Sequence, residues 1–365
     1  YFPDTGPYSR EYYPKHLDFM ASGKTFSERA FIAANRVGKA QPIDELVLTQ
    51  AGFVEIGSLK VGDEVIGSTG RAIKVLGVYP QGIRPTYEMS FIDGSKVRCD
   101  EEHLWTFSYS GRTSFHTKTL KDWLAISTSK YVPQRPVVEG LNNQLPLDPY
   151  LLGLLIGDGC LVNKGISISS GDAEIIDYCR EIAPLFECRL KYVGQYDYRF
   201  VSQIRSPEGY GKNLLLDIIR DLKLDCLSYY KHIPAQYLIT TKENRLALLQ
   251  GLIDTDGWIN PQGRTFFNSV SDRLCKDVLY LARSLGINAR YRKRKIGYEI
   301  YLPYADFPLC RLPRKLTRQA KDDTSFKVSV KEIRKVEDQE SVCIEVDAPD
   351  SLYLTTDFIL THNTI

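Results

Sequence analysis

The last residues of the chain carry functional groups that can break and remake a peptide bond. Asn363 can attack its own main-chain carbonyl through its side-chain amide and so cut the chain behind itself. His362 can protonate the leaving amine, and Thr364 offers a hydroxyl nucleophile at the same junction. Cys343 adds a thiol further upstream. These four residues predict one half of a site that rearranges its own chain.

A second junction lies near the start of the chain. Gly38 and Lys39 end a run that is typical of a phosphate-binding loop, but Ala40 stands where such a loop needs Ser or Thr to hold Mg²⁺. Joining Lys39 to Thr364 supplies that hydroxyl. The joined sequence resembles the ATPase of phage terminase large subunits. The resemblance implies that the chain interrupts a host phosphate loop, with scissile junctions at Lys39–Ala40 and Asn363–Thr364.

The composition limits what lies between the junctions. A length of 365 residues predicts two or three domains. With a net charge of +2, affinity for nucleic acid must come from local clusters. Eight scattered Cys and five His disfavour a structural zinc site. We find no membrane-length apolar run and no signal peptide. We therefore expect a cytoplasmic protein with no membrane partner, and the resemblance to terminase large subunits implies a phage-infected or prophage-carrying bacterial cell.

The first hundred residues after Lys39 favour an all-β unit. Short β-rich runs at residues 44–66, 72–79, 85–92 and 96–99 alternate with Gly turns. These runs, with the segment that contains His103, resemble the splicing domain of an intein. The resemblance implies that His103 distorts and protonates the N-terminal scissile amide. Asp100 stands where most inteins carry Thr, which leaves open how this amide is polarised.

Ala40 cannot act as the first nucleophile, and two explanations compete. One is an engineered Cys→Ala change that traps an unspliced precursor. The other is membership of a minor intein class that lacks this nucleophile and carries a Trp–Cys–Thr triplet, which Trp105, Cys343 and Thr361 match. We favour the second.

The minor class implies a splicing route without a cofactor. Cys343 attacks the Lys39 carbonyl, Thr364 takes over the acyl group, and cyclisation of Asn363 releases residues 40–363. Trp105 and Thr361 would position Cys343 rather than react. The flanking host segments are then the substrates of the reaction.

Two matching segments in the middle of the chain each predict a helix that ends in Asp and Gly. They occupy residues 148–159 and 244–257, and Thr240 to Glu243 reads as a capping box for the second. Gly153 and Gly251 would let the helices pack closely. The segments resemble the helices of LAGLIDADG homing endonucleases, which implies Mg²⁺-dependent cleavage of double-stranded DNA by a monomer. Asp158 and Asp256 would be the metal ligands.

Basic residues near these helices favour DNA binding. Strands with alternating basic and aromatic residues suit the major groove, and the two unequal halves imply a long asymmetric target, the host-gene site that lacks the insertion. The candidate DNA-binding residues are Arg189, Lys191, Arg290, Arg292, Lys293, Arg294 and Lys295.

The expected fold is mixed α/β overall. An all-β Hint-type splicing domain is interrupted by an α+β, pseudo-twofold LAGLIDADG endonuclease domain. The predicted layout is host fragment 1–39, splicing domain 40–140 and 322–363, endonuclease 141–321 and host residues 364–365. Two other functions stay open: a stand-alone site-specific nuclease, and a phosphate-loop ATPase with a structural insertion.

Overall fold

A computed structural model describes residues 39–109, 114–162, 165–204, 213–303, 305–319 and 328–362. The predictions for the host fragment before Lys39, including Gly38, and for Asn363 and Thr364 lie outside these residues. In the part that is described, no helix is both long and apolar enough to cross a membrane.

The first part of the chain forms ten strands and one short helix. Apolar and polar residues alternate along several strands, so that one face is buried, as in Thr86–Phe91 and Leu104–Tyr109. The strands are β1 Gln41–Pro42, β2 Leu46–Thr49, β3 Gly52–Glu55, β4 Glu64–Ile66, β5 Ala72–Arg84, β6 Thr86–Phe91, β7 Lys96–Asp100, β8 Leu104–Tyr109, β9 His116–Thr119 and β10 Lys130–Val132, with helix α1 Leu120–Leu124 after β9.

The middle of the chain contains the predicted repeat. Its first half consists of α2 Pro149–Asp158, β11 Gly159–Cys160, β12 Ile166–Ser169, α3 Ala173–Ile182, β13 Cys188–Gly194, β14 Asp197–Ser202 and α4 Leu214–Asp221. Its second half consists of α5 Ala235–Leu238, α6 Lys242–Thr255, β15 Gly257–Ile259, β16 Thr265–Ser269, α7 Asp272–Ser284, β17 Arg290–Lys293, β18 Tyr298–Leu302 and α8 Pro313–Leu316. The two sheets have the equivalent orders β11-β12-β14-β13 and β15-β16-β18-β17.

The end of the chain returns to the first β unit. It forms β19 Val328–Lys335, β20 Gln339–Val346, β21 Leu352–Thr355 and β22 Ile359–His362. Strand β20 lies between β1 and β5, β19 between β6 and β10, and β21 between β22 and β2. Each of these three sheets therefore contains strands from both the start and the end of the described chain. The expected fold class, a split β domain around a pseudo-twofold α+β domain, is confirmed.

The starts of the two long helices show how local sequence sets the repeat. Asp148 caps α2, because its Oδ1 accepts the N–H of Leu151 at 2.9 Å. The capping box predicted for α6 is wrong by one residue. Thr241 is the cap and accepts the N–H of Asn244 at 3.4 Å, whereas the Thr240 hydroxyl accepts the Asn244 side-chain amide at 3.1 Å.

Candidate active sites

Strand β1 holds the N-terminal junction against the strand that carries the thiol. Gln41 pairs with Val342 and Pro42 with Ser341 in antiparallel register. One further step of this register places Cys343 opposite Ala40. Directly opposite residues in such a pair have Cα atoms about 4.5 to 5.5 Å apart and side chains on the same face. Cys343 is therefore a near neighbour of the Lys39–Ala40 bond.

Buried hydrogen bonds fix the residue that follows the junction. The Gln41 side chain accepts the Tyr353 hydroxyl at 2.6 Å and donates to the Arg98 carbonyl and to Thr355 Oγ1, both at 3.3 Å. Gln41 and Tyr353 are both buried. Burial raises the pKa of Tyr353, and the neighbouring Cys343 raises it further. The sequence analysis missed this pair, because both residues look like ordinary strand residues.

His103 lies between the two ends of the described chain. Its Nε2 is 2.6 Å from Thr361 Oγ1 on β22, and its Nδ1 is buried with no hydrogen-bond partner among the described residues. Burial lowers the pKa of His103 to about 3, and the positive charges of His362 and Lys39 act in the same direction. His103 is therefore a neutral imidazole that can distort or hydrogen-bond an amide.

Asp100 adjoins the scissile residue, and its carboxylate Oδ1 is buried with no hydrogen-bond partner among the described residues. Its main-chain N–H donates to the Ala40 carbonyl at 2.9 Å. Burial raises the pKa of the Asp100 carboxyl to about 6, while the backbone N–H of Ala40 and the Arg84 guanidinium oppose this rise. That N–H belongs to the scissile amide. A carboxyl group that titrates near neutrality thus adjoins the amine that would leave.

Trp105 does not donate to Cys343 as a positioning residue would. Its indole N–H donates to Cys99 Sγ at 3.3 Å, and an indole has only one such donor. The ring stacks on Phe107 with centroids 5.6 Å apart and is wholly buried. Any effect of Trp105 on Cys343 must therefore pass through packing. Cys99 was missed, although the buried alternation of β7 marks it as a core residue.

Lys39 and His362 complete the described part of this site. Both side chains are buried. Burial lowers the pKa of Lys39, whereas attraction to Cys343 and Glu102 opposes the shift. Lys39, His103 and Cys343 therefore share one small buried region, with Thr361 and His362 on the adjoining strand β22.

Helices α2 and α6 pack in direct backbone contact at two glycines. A Cβ atom built on Gly153 would lie 2.5 Å from the Leu248 carbonyl oxygen, and one on Gly251 would lie 2.5 Å from the Tyr150 carbonyl oxygen. These distances leave no room for a methyl group. Small residues at both positions bring the two helix ends together.

Gly251→Ala is expected to destabilise the helix pair by about 1 to 3 kcal/mol, the usual cost of overpacking. The added methyl group must push two backbones apart. Urea unfolding should therefore show a lower midpoint than the wild type. Gly165→Ala is the matched control, because its Cβ would meet Arg199 only at 3.8 Å. An unchanged midpoint for Gly251→Ala would contradict the close packing.

The paired helices deliver Asp158 and Asp256 to one place. Asp158 is the last residue of α2, and Asp256 follows α6 as its C-cap. Burial raises the pKa of Asp256 to about 6, and the neighbouring charge of Asp158 adds to the rise. Burial also raises the pKa of Asp158, against the effect of Lys315 and Lys231. Two partly buried carboxylates beside two ammonium groups are available for chemistry.

Each helix end is bound by a buried lysine that the sequence analysis missed. Lys231 Nζ donates to the carbonyls of Ile156 at 2.6 Å and Gly159 at 2.9 Å. Lys315 Nζ donates to those of Ile253 at 2.6 Å and Gly257 at 2.7 Å. The two lysines occupy equivalent places in the two halves. Only the repeat could have indicated them, because each lies in a stretch without a recognisable motif.

Asp254 has a structural role. It accepts the Tyr150 hydroxyl at 2.8 Å and the main-chain N–H groups of Arg311 at 2.9 Å and Leu312 at 3.1 Å. These bonds attach the segment that carries Lys315 to α6. The first half has Ile156 at the corresponding position.

The candidate DNA-binding residues lie on the two sheets of the repeat and on the turn after β17. Arg294 is paired with Glu299, and the other exposed candidates are Arg189, Lys191, Arg292, Lys293 and Lys295. On the second sheet, Trp258 stacks on Phe266 at 4.5 Å, and Phe266 lies 5.2 Å from Tyr301. The Arg290 guanidinium lies over the Tyr301 ring at 5.9 Å. This face is thus a row of aromatic rings edged by positive charge.

Comparison with known proteins supports this two-part description. A family model described as a LAGLIDADG-like domain matches residues 243–319. The replicative DNA helicase DnaB of Mycobacterium intracellulare is 27% identical over 368 residues, which cover 90% of this chain and 59% of the helicase. The homothallic switching endonuclease of Saccharomyces cerevisiae is 27% identical over 179 residues, which cover 41% of this chain and 29% of that protein.

The chain therefore spans less than two thirds of the length of either relative. A solved structure of the MchDnaB-1 intein aligns with 89% of this chain and 99% of its own length, at 12% identity and a TM-score of 0.30. Residues 243–319, which match the LAGLIDADG-like family, thus lie in a repeat that is set inside a β domain built by both ends of the described chain.

Proposed function

We propose that the protein excises residues 40–363 by autocatalytic splicing and joins Lys39 to Thr364. The main support is the register between β1 and β20, which brings Cys343 opposite Ala40 when it is continued by one residue. Residues 40–140 and 322–363 would form the splicing domain, residues 141–321 the endonuclease, and residues 1–39 and 364–365 the host flanks.

The reaction begins with attack of Cys343 Sγ on the Lys39 carbonyl. The bond to the Ala40 nitrogen breaks, the nitrogen gains a proton, and the host fragment is held as a branched thioester. The Thr364 hydroxyl then takes over the acyl group as an ester. Asn363 cyclises with help from His362 and releases the intein. A final shift of the acyl group from oxygen to nitrogen joins Lys39 to Thr364.

Asp100 is the proposed acid of the first step. A neutral His103 with a pKa of about 3 has no proton to give near neutral pH. The Asp100 carboxyl, whose pKa burial raises to about 6, adjoins the Ala40 N–H and can protonate it as it leaves. His103 would then hold the scissile amide in a distorted geometry through Nδ1.

Asp100→Asn is expected to slow formation of the branched thioester by about 10²-fold or more, the usual contribution of a positioned acid. In the wild type, the protonated carboxyl is lost as pH rises through about 6, so the rate should contain a limb that falls there. The variant should lack this limb. The assignment is tested by quantifying the branched species by mass spectrometry between about pH 5 and 8, a range that includes the pKa of an acid tuned near neutrality. An unaltered pH profile would contradict it.

We further propose that the middle domain cleaves double-stranded DNA with Mg²⁺ bound by Asp158 and Asp256. Mg²⁺ is commonly held by one or two carboxylates together with substrate phosphates, and no cluster of three or more candidate ligands occurs among the described residues. The two carboxylates therefore fit such a site. The ion would stabilise charge on the phosphodiester, and the nearby Lys231 and Lys315 would add positive charge.

The host protein is proposed to be a phosphate-loop ATPase. The sequence Gly38-Lys39-Thr364 supports this, and its context resembles a terminase large subunit. The similarity to a DnaB helicase makes a replicative helicase the second candidate. Splicing would restore the Thr hydroxyl that such a loop needs. The host is therefore expected to hydrolyse ATP only after splicing.

Expression with longer flanks, followed by intact mass, tests the splicing proposal against its alternatives. Splicing predicts loss of residues 40–363 and a joined flank product. A stand-alone nuclease would cut DNA with no chain rearrangement. A structural insertion in an ATPase would allow ATP turnover by the uncut chain. If splicing requires Ala40→Cys, the chain is an ordinary intein whose first Cys was changed to Ala40, so that the unspliced precursor accumulates.

A further inference from the structure

A buried ionic cluster connects the endonuclease domain to the splicing domain. Arg283, in the last turn of α7, donates to Asp357 Oδ1 at 2.6 Å and to the Asp93 carbonyl at 3.0 Å. Arg135 donates to Asp93 Oδ2 at 2.6 Å and to the Asp357 carbonyl at 3.0 Å. It also reaches Asn288 Oδ1 of the endonuclease domain at 2.9 Å. Two arginines thus hold two separate turns of the splicing domain.

Asp93 remains ionised throughout the ordinary pH range. Burial would raise the pKa of Asp93, but Arg135 and Arg283 hold it down to about 2. Both arginines are only 2% exposed. Buried pairs of this kind are little screened by salt, and loss of one partner leaves the other charge uncompensated.

The turn that the arginines hold has an unfavourable backbone conformation. Asp357 has a φ of 58° and Phe358 a φ of 61°. Positive φ is tolerated by Asp but is an outlier for a bulky residue such as Phe. Such strain persists only where the surroundings over-determine it. Here the surroundings include the endonuclease domain.

An aromatic contact adds to the ionic one. Phe358 is buried, and its ring packs edge to face on Tyr280 of α7 at 4.9 Å and on Phe53 of the splicing domain at 5.1 Å. Helix α7 therefore holds both left-handed residues of the turn: Asp357 through Arg283, and Phe358 through Tyr280.

The turn leads directly into the strand that carries the C-terminal splicing residues. Strand β22 begins at Ile359 and contains Thr361 and His362. Thr361 Oγ1 lies 2.6 Å from His103 Nε2. The other turn, at Asp93, precedes β7, which carries Asp100. The cluster therefore sets the position of both sides of the splicing site.

We propose that Arg283 and Tyr280 are positioning residues for splicing, through which the endonuclease domain holds strand β22 in register with His103. This inference rests on the proposed splicing activity. It means that the splicing domain of this chain is not autonomous, and that the C-terminal cleavage step depends on the end of α7.

The test measures the rate of Asn363 cyclisation in full-length chains with longer flanks. Arg283→Met is expected to slow cyclisation by about tenfold or more, the scale of a lost hydrogen bond to a charged group. Arg283→Lys, which keeps the charge but cannot make both hydrogen bonds, should cyclise at an intermediate rate. Arg273→Met, at an exposed position on the same helix, is the control and should match the wild type.

Two further readouts separate positioning from misfolding. DNA cleavage by Arg283→Met should persist, because the change lies away from Asp158 and Asp256. The double variant Asp357→Asn with Arg283→Met should cyclise no more slowly than Arg283→Met alone, since both changes remove the same contact between these two side chains. Additive losses would indicate a general folding defect and overturn the proposal. A folded Arg283→Met chain whose cyclisation rate is within about twofold of the wild type would also overturn the proposal, since loss of this contact should slow cyclisation by more than that.

A wild-type chain that does not splice at all would refute the proposed function itself. A wild type that splices, together with an Arg283→Met variant that splices equally fast, would refute only the positioning role.

Discussion

Cys343→Ala is expected to remove the branched thioester and the joined host product. The expected loss in splicing rate is at least about 10⁴-fold, the scale on which removal of a covalent nucleophile acts in enzymes. The physical reason is the position of the thiol. The register of β1 and β20, continued by one residue, brings Cys343 opposite Ala40, and Ala40 itself offers no nucleophile. No other described thiol is placed at this junction by the strand pairing.

The measurement is made in a chain that also carries Asn363→Ala, which blocks cyclisation and lets the branched species accumulate. Mass spectrometry and mobility in denaturing gels then report its amount directly. Cys160→Ala is the matched control, because Cys160 is an exposed free thiol in the endonuclease domain. A branched species that survives Cys343→Ala would refute direct attack by this residue.

Asp158→Asn and Asp256→Asn should each abolish Mg²⁺-dependent DNA cleavage and leave splicing unchanged. Both carboxylates stand at the ends of helices that touch through Gly153 and Gly251, so both would belong to one proposed metal site. Loss of a metal ligand removes several kcal/mol of charge stabilisation, which corresponds to a rate loss of at least about 10²-fold. The substrate is a plasmid that carries the host sequence with codons 39 and 364 joined.

Asp177→Asn is the control for this experiment, since Asp177 is an exposed carboxylate on α3, paired only with Arg180 at the surface. Splicing of the same preparations is followed by mass. Full cutting by the double variant Asp158→Asn with Asp256→Asn would show that the metal site lies elsewhere. Loss of splicing in both single variants would show that the changes disturb the fold.

Local pattern was sufficient to predict the fold class and the repeat. The alternation of apolar residues in β6 and β8 specifies a half-buried strand, and Asp148 followed by Pro149 specifies a helix start. The matched motifs around Asp158 and Asp256 then predicted that two helices would meet. Each of these signals is carried by residues that are close in sequence.

The contacts that the sequence did not predict join residues that are distant in sequence. The indole of Trp105 donates to Cys99 because β7 and β8 both line one small core, and no spacing rule specifies that partner. Lys231 reaches one helix end from a loop, and Lys315 reaches the other from the short helix α8. Arg283 looks like an ordinary basic residue in the last turn of a helix, yet it binds Asp357 in the other domain. Such pairings depend on tertiary packing and have no local signature.

The placement of the two buried lysines also bears on the origin of the endonuclease domain. Lys231 caps the helix of the first half and Lys315 that of the second, so neither half borrows this group from its neighbour. Gly153 approaches the backbone of α6 as closely as Gly251 approaches that of α2. A surface of this kind is self-complementary, as in a symmetric dimer. The domain therefore has, within one chain, the internal pseudo-twofold arrangement of a symmetric dimer.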